Sequence, residues 1–217
     1  MRLRAATVAL TAAAALLAAQ PAAAADRCKV PRGSSTVAKT SRVHVYFGPQ
    51  RVDGPEAAAY ACNRRSGRRF KLDDPRRELA LDSGGDIAEP RIAGYQLAYV
   101  TVQHEGAESI YYRLRALDLA TGKRRALGSY FGELEGPVEF SILASGVVAW
   151  HELVEEAGAL QSRVWLWGAA GRRMLDSAPE TLGEGPPAIR DLGVTGSARE
   201  PVLYWMNGET PRSAAMR

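Results

Sequence analysis

The sequence is expected to form an all-β protein of about four repeated strand units, and three observations carry that expectation. The first is a period. Four strands end on the aromatics Phe47, Tyr99, Trp150 and Trp205, which lie 52, 51 and 55 residues apart. The second is the same succession after each aromatic strand: a loop, a second strand, a tight turn containing glycine, and a short basic strand. The third is local pattern. Ile110, Tyr112, Leu114 and Ala116 alternate with polar residues as a half-buried strand does, whereas no long stretch after residue 25 holds a helical apolar period. Four short antiparallel strands per unit at this spacing are the sequence form of a β-propeller.

Ahead of the first unit, residues 1–25 read as a secretory signal. Arg2 and Arg4 precede an apolar run from Ala5 to Ala19, and Ala23-Ala24-Ala25 supplies the small residues of a cleavage site. The run is Ala-rich and shorter than the roughly 20 residues of a spanning helix, which argues against stable membrane insertion after cleavage. Arg2 and Arg4 are not adjacent, so there is no twin-arginine pair, and the residues before Cys28 do not suit lipid attachment. The mature chain is expected to begin near Asp26 and to be secreted or periplasmic. Cleavage would remove two Arg and no acid, leaving 26 basic against 24 acidic groups. The basic excess then largely vanishes, and with it the case for nucleic acid.

About 192 residues remain, enough for a single domain over 26–217 with repeat units near 28–80, 81–130, 131–180 and 181–217. Two cysteines fall in the first unit. In an exported chain an even pair reads as one disulfide, Cys28–Cys62, pinning the new N-terminus to the second strand of that unit. The first unit contains Ala59 to Arg65, the turn Ser66-Gly67, and Arg68 to Leu72. The second begins at Gly85 and runs through Ile87, Ile92, Leu97-Ala98-Tyr99 and Ile110 to Leu119. Ala120-Thr121-Gly122 then turns into Lys123-Arg124-Arg125. The third matches it without gaps: Gly136, Val138, Leu143, Val148-Ala149-Trp150, and later Ala169-Ala170-Gly171 before Arg172-Arg173. The fourth starts at Gly185 and keeps Ile189, Val194 and Gly196, closing on Leu203-Tyr204-Trp205. A closed ring requires Val30 to Ala38 to pair with the last unit. The alternative is an open arc of blades completed by oligomerisation through its free strand edges.

The second unit carries a resemblance. Gly94-x-x-Leu97-Ala98-Tyr99, Tyr111-Tyr112 and Asp118-Leu119-Ala120-Thr121-Gly122-Lys123 resemble the blade repeat of TolB-type, WD40-like β-propellers. In that family an aliphatic-Ala-Tyr strand precedes an aromatic-x-x-Asp-Leu-x-Thr-Gly-Lys hairpin. The likeness implies the fold and scaffold-like use, not a substrate. The family commonly carries six or more blades, against four units here.

Chemistry-bearing residues are sparse. His44, His104 and His151 lack metal-ligand spacing: His151-Glu152 is half of a His-Glu-x-x-His, with Glu155 where the second His belongs. Ala144-Ser145-Gly146 and Gly33-Ser34-Ser35 lack a nucleophile elbow, and no phosphate loop exists. No catalytic, metal or cofactor residue is assigned. The acids Asp73, Asp74, Asp82, Asp86 and Glu89, with Glu133, Glu135 and Glu139 one unit later, could converge on one face as glycosidase carboxylates do. Asp82 to Asp86 could also offer oxygens to Ca²⁺ without a full loop rhythm. Solvated loops explain the same acids. The repeated basic hairpins, Arg64-Arg65 with Arg68-Arg69, Lys123-Arg124-Arg125 and Arg172-Arg173, read as edge protection or as a ring for an anionic partner. Tyr111, Tyr112, Trp165 and Trp167 could form a sugar platform, although burial between blades accounts for them better.

These readings favour an exported, non-enzymatic bacterial scaffold binding a protein or a cell-envelope polymer. The alternative is a carbohydrate-active enzyme using the loop carboxylates.

Overall fold

The computed structural model describes residues 26–49, 57–72, 86–105, 109–131, 136–180 and 187–217. Fifteen strands form four separate antiparallel sheets, each an up-and-down meander in chain order, with no helix among the described residues. The first blade holds β1 (Ser35–Lys39), β2 (Val43–Phe47), β3 (Ala59–Asn63) and β4 (Arg69–Lys71). The second holds β5 (Asp86–Ala93), β6 (Gln96–Glu105), β7 (Ser109–Asp118) and β8 (Arg124–Phe131). The third holds β9 (Gly136–Ile142), β10 (Val148–Glu156), β11 (Ala159–Gly168) and β12 (Gly171–Pro179). The fourth has three strands, β13 (Ile189–Gly196), β14 (Pro201–Asn207) and β15 (Thr210–Ala215). The chain is all-β and propeller-like, with four blades.

Period-two alternation gives each blade two apolar faces, and consecutive blades bury them against each other. Val43, Val45, Ala59 and Ala61 of the first blade meet Leu97, Tyr99 and Leu117 of the second. Ala98, Val100, Leu114 and Ala116 on the other face of the second meet Val148 and Trp150 of the third. Ala149, Val164 and Leu166 then meet Ile189, Leu203 and Trp205 of the fourth. From the second blade onwards the repeated aromatic therefore faces the preceding blade, and the polar tips of Tyr99 and Trp205 are tied there too. The Tyr99 hydroxyl donates to the Leu72 carbonyl at 3.1 Å, and Trp205 Nε1 donates to Asp176 at 2.8 Å. Trp150 Nε1 donates to Glu152 at 2.7 Å, and Glu152 also accepts from Tyr130 of the second blade. A buried aromatic contributes about 2–3 kcal/mol through area alone. Repeating it once per blade is what the period of the sequence encodes.

Two sequence expectations need correction. In the first blade, Tyr46 and not Phe47 occupies the place of Tyr99. Tyr46 pairs with Tyr60 three positions before Asn63, as Tyr99 pairs with Arg115 three before Asp118. Asn63 and Asp118 both accept the N–H that closes the following turn. The ring, moreover, is not closed by Val30 to Ala38. β1 pairs with β2 of its own blade, and among the described residues no sheet combines strands of the first and fourth blades. None of the three core clusters joins those two blades, and the outward face of the fourth carries Tyr204 at 44% exposure. Among the described residues no closure of the ring is found.

The first and fourth blades differ. On the outward side of the first blade, Cys28 is bonded to Cys62 with Cα atoms 6.0 Å apart. Arg27 N–H donates to the Arg64 carbonyl, and Asp26 pairs with Arg64 at 3.0 Å. These contacts pin residues 26–28 onto β3 and the turn that follows it. Residues 1–25 lie outside the described residues.

Candidate functional site

The first strand of every sheet is bulged. Register slips between Thr36 and Ala38 in β1, between Ala88 and Arg91 in β5, opposite His151/Glu152 in β9, and between Arg190 and Gly193 in β13. A bulge inserts a residue, sharpens the twist and re-aims side chains. Two of these bulges force non-glycine residues into the left-handed region, Glu89 at φ 48° and Asp191 at φ 58°. Such conformations persist where surrounding structure imposes them.

The inner strands β5, β9 and β13 line a groove of about 390 Å³ bounded by Glu89, Arg91, Glu139, Ser141, Leu192 and Val194. Glu139 is not free: its carboxylate accepts the Leu192 N–H at 2.7 Å, holding the β13 bulge against β9. Glu89 and Arg91 form an exposed pair at 3.6 Å. Of the acids singled out in successive units, Glu89 and Glu139 border the same groove. Asp73, Asp74, Asp82, Glu133 and Glu135 lie outside the described residues, and Asp86 is placed only as the first residue of β5.

Val194 also lines a second and larger pocket, about 700 Å³, among the turns of the third and fourth blades. Its walls include Leu143, Val147, Trp167 and Met216, with Arg125 and Arg199 at the polar side. The groove is the inner-strand concavity, polar along β5, β9 and β13; the pocket is apolar at the turn end, and Val194 lines both.

The remaining candidates are committed to structure. His151 is fully buried, and its Nε2 lies 3.2 Å from Ser162 Oγ, which donates to Glu180 at 2.7 Å. Because the serine spends its proton on Glu180, His151 must donate from Nε2, leaving Nδ1 as a bare lone pair without a partner. Burial pushes the imidazole down to about 4, against a smaller upward pull from Glu180. The serine bridges the acid and the imidazole, where a nucleophilic triad needs the imidazole between the other two. Glu180 in turn accepts the Ala188 N–H at 2.9 Å. In the first blade His44 repeats a part of this, with Nε2 2.9 Å from Thr36 Oγ1 and burial the leading cause of its lowered pKa. His104 is placed only as part of β6. Among the described residues no three or more His, Cys, Asp or Glu gather as a metal site.

Glu152, beside His151, is also buried. It accepts from Tyr130, Trp150 Nε1, Trp165 Nε1 at 2.6 Å and the Arg172 guanidinium at 3.2 Å. Burial and the adjacent carboxylate push the Tyr130 phenol well above its ordinary value. Sequence reasoning missed this constellation because its members come from β8, β10, β11 and β12. Only the alternation of β10 against β11, which pairs Trp150 with Trp165, could have signalled it.

Four arginines of the basic hairpins tie neighbouring blades together. Arg68 donates to the Thr121 carbonyl at 3.3 Å, Arg124 to Lys71 at 2.6 Å, and Arg173 to Ala215 at 3.3 Å. Arg125 reaches from the second blade onto the Trp167 ring of the third, 4.0 Å from its centroid. Each of these cations thus bridges to the neighbouring blade, a use that neither edge protection nor an anion-binding ring had anticipated. Trp165 and Trp167 each carry a guanidinium over the ring, from Arg172 and Arg125 respectively.

No family and no curated protein matches the chain. Among solved structures it is similar to a chain from a study of two prolyl endopeptidases, "Role of Inter-Domain Dynamics in Catalysis and Specificity", at 15% identity and TM-score 0.48. That match covers 89% of this chain and 31% of the other. It is also similar to a Glu150Gln mutant of Synechocystis apocarotenoid oxygenase at 13% identity and TM-score 0.35, covering 84% and 48%. The chain thus spans about a third and about half the length of these two proteins.

Proposed function

We propose that the chain is an exported, non-enzymatic scaffold that binds a protein or a cell-envelope polymer through the inner-strand concavity. The observation that carries this reading is that Val194 lines both the polar inner-strand groove and the apolar pocket, an arrangement that suits a ligand segment with a polar stretch and an apolar end. The engagement of His151, Ser162, Glu180 and Glu152 in buried hydrogen bonds supports a binding role over catalysis. Export is supported by the signal-like residues 1–25 and by the Cys28–Cys62 bond, which suits an oxidising compartment. The likeness of Asp118 to Lys123 to TolB-type hairpins belongs to the same reading.

The test is retention of the mature chain, Asp26 to Arg217, on fractionated envelope material, beside a Val194→Arg variant that blocks the concavity. Retention lost in the variant at unchanged Tm supports the assignment. Equal retention removes the concavity from it. Soluble sugar released from polymer would instead favour the glycosidase reading, for which Glu89 and Glu139 on one groove are the supporting residues.

A further inference from the structure

Arg172 sits in a site shaped for a cation. Trp150 and Trp165 lie nearly parallel, 20° apart with centroids separated by 6.2 Å. The guanidinium carbon is 3.7 Å from the Trp165 centroid and 5.3 Å from that of Trp150. At the base is the Glu152 carboxylate, whose side chain is 2% exposed. Aromatic faces above a buried carboxylate are the elements of cation recognition.

The division of labour within the cage matters. Three of the four donors to Glu152 are neutral and come from rigid rings: the Tyr130 hydroxyl, from the neighbouring blade, and the two indole N–H groups. They hold the carboxylate whether or not a cation is present. Arg172 supplies the single neutralising charge, and it does so through its longest bond, 3.2 Å, from a side chain that is 40% exposed. It enters from the start of β12, immediately after the Ala169-Ala170 turn. The cage is made of rings around a buried carboxylate, and Arg172 is its exposed member.

We propose that the Tyr130–Trp150–Glu152–Trp165 cage is a guanidinium-binding site, and that Arg172 is a resident ligand which an arginine side chain presented by a partner polypeptide displaces. A planar fork stacked on an indole, with N–H groups directed at a carboxylate, is a geometry that guanidinium satisfies and a compact ammonium does not. Arg172 competes intramolecularly, so it lowers the affinity for any outside guanidinium in proportion to its own occupancy. The cage is separate from the inner-strand concavity, and this inference does not depend on the proposed function.

The experiment follows intrinsic Trp fluorescence while methylguanidinium, and separately an acetylated arginine amide, is titrated into wild type, Arg172→Ala and Arg172→Gln. Expected is binding at least tenfold tighter in both variants than in wild type, with tetramethylammonium a poor substitute. Adding Glu152→Gln to either variant should abolish it. Equal affinity in wild type and folded variants overturns the proposal, as does equal binding of tetramethylammonium. Failure of both Arg172 variants to fold would make Arg172 an irreplaceable structural ion and also overturn it.

Discussion

His151 illustrates how a single buried atom sets a pH response. Its Nδ1 lone pair has no donor opposite it, so protonation would place a charge and an unmatched N–H in the interior. The folded imidazole titrates near 4 against about 6.5 when exposed. The unfolded chain therefore binds more protons between those values. The stabilisation is complete above pH ~6.5 and is lost as pH falls towards 4, on the order of 3 kcal/mol. Thermal unfolding of wild type should show Tm falling over that window, and His151→Gln should flatten the fall; an unchanged slope would refute the assignment. A second residue-scale prediction concerns Gly128, over which the Tyr130 ring passes on its way to Glu152. A Cβ there would collide with the phenol oxygen. Gly128→Ala should therefore reproduce Tyr130→Phe, each costing about 1–3 kcal/mol in chemical denaturation by unsettling a buried acceptor. Neither residue stands out in the sequence, since Gly128 reads as an ordinary strand interruption. Its reason lies in a side chain two positions away and a carboxylate in another blade.

At the scale of elements, the hairpin after β7 shows a motif whose physics was legible. Asp118 accepts from Ala120 N–H at 2.8 Å and from Thr121 Oγ1 at 2.9 Å, while Gly122 adopts φ 84°. Burial works to raise the Asp118 pKa, but these bonds outweigh it and hold the carboxyl below its usual value. Asp118→Ala should cost about 1 kcal/mol. Gly122→Ala should cost more, because a Cβ would stand 2.9 Å from the Arg68 guanidinium and 3.0 Å from the Phe70 ring in a conformation L-residues resist; comparative denaturant midpoints decide between them. Strands, turns and the two-faced alternation were readable because they depend on neighbours in sequence. The bulges at Glu89-Pro90 and Asp191-Leu192 were not, because they answer to the twist of a sheet and the packing of the next blade. The basic hairpins were recognised as repeated features, and their strands β4, β8 and β12 are edge strands of their sheets, but the reach of Arg68, Arg124, Arg125 and Arg173 to another blade leaves no trace in local spacing.

Across the whole molecule, the number of blades was legible from the period, whereas closure was not. Closure depends on whether the last blade's outward face finds a partner, and no residue near Val30 to Ala38 specifies that. The Cys28–Cys62 bond spans 34 residues and should contribute about 3–4 kcal/mol on the chain-entropy model. Replacing both cysteines with serine should lower the unfolding midpoint accordingly and make the Asp26–Gly33 segment the first site of limited proteolysis. Cleavage elsewhere first would show that the segment is held by its backbone bonds alone.

Because each core joins blades adjacent in the chain, and the disulfide closes inside the earliest of them, assembly can proceed from the N-terminus outwards. A chain emerging in that order never holds a finished blade in waiting for its final strand. A ring sealed by its two ends would have to do so, exposing apolar faces until the last residues arrived. The outward face of the fourth blade, which carries the exposed Tyr204, is then a surface on which another unit of the same pattern could be stacked while leaving the three existing junctions intact.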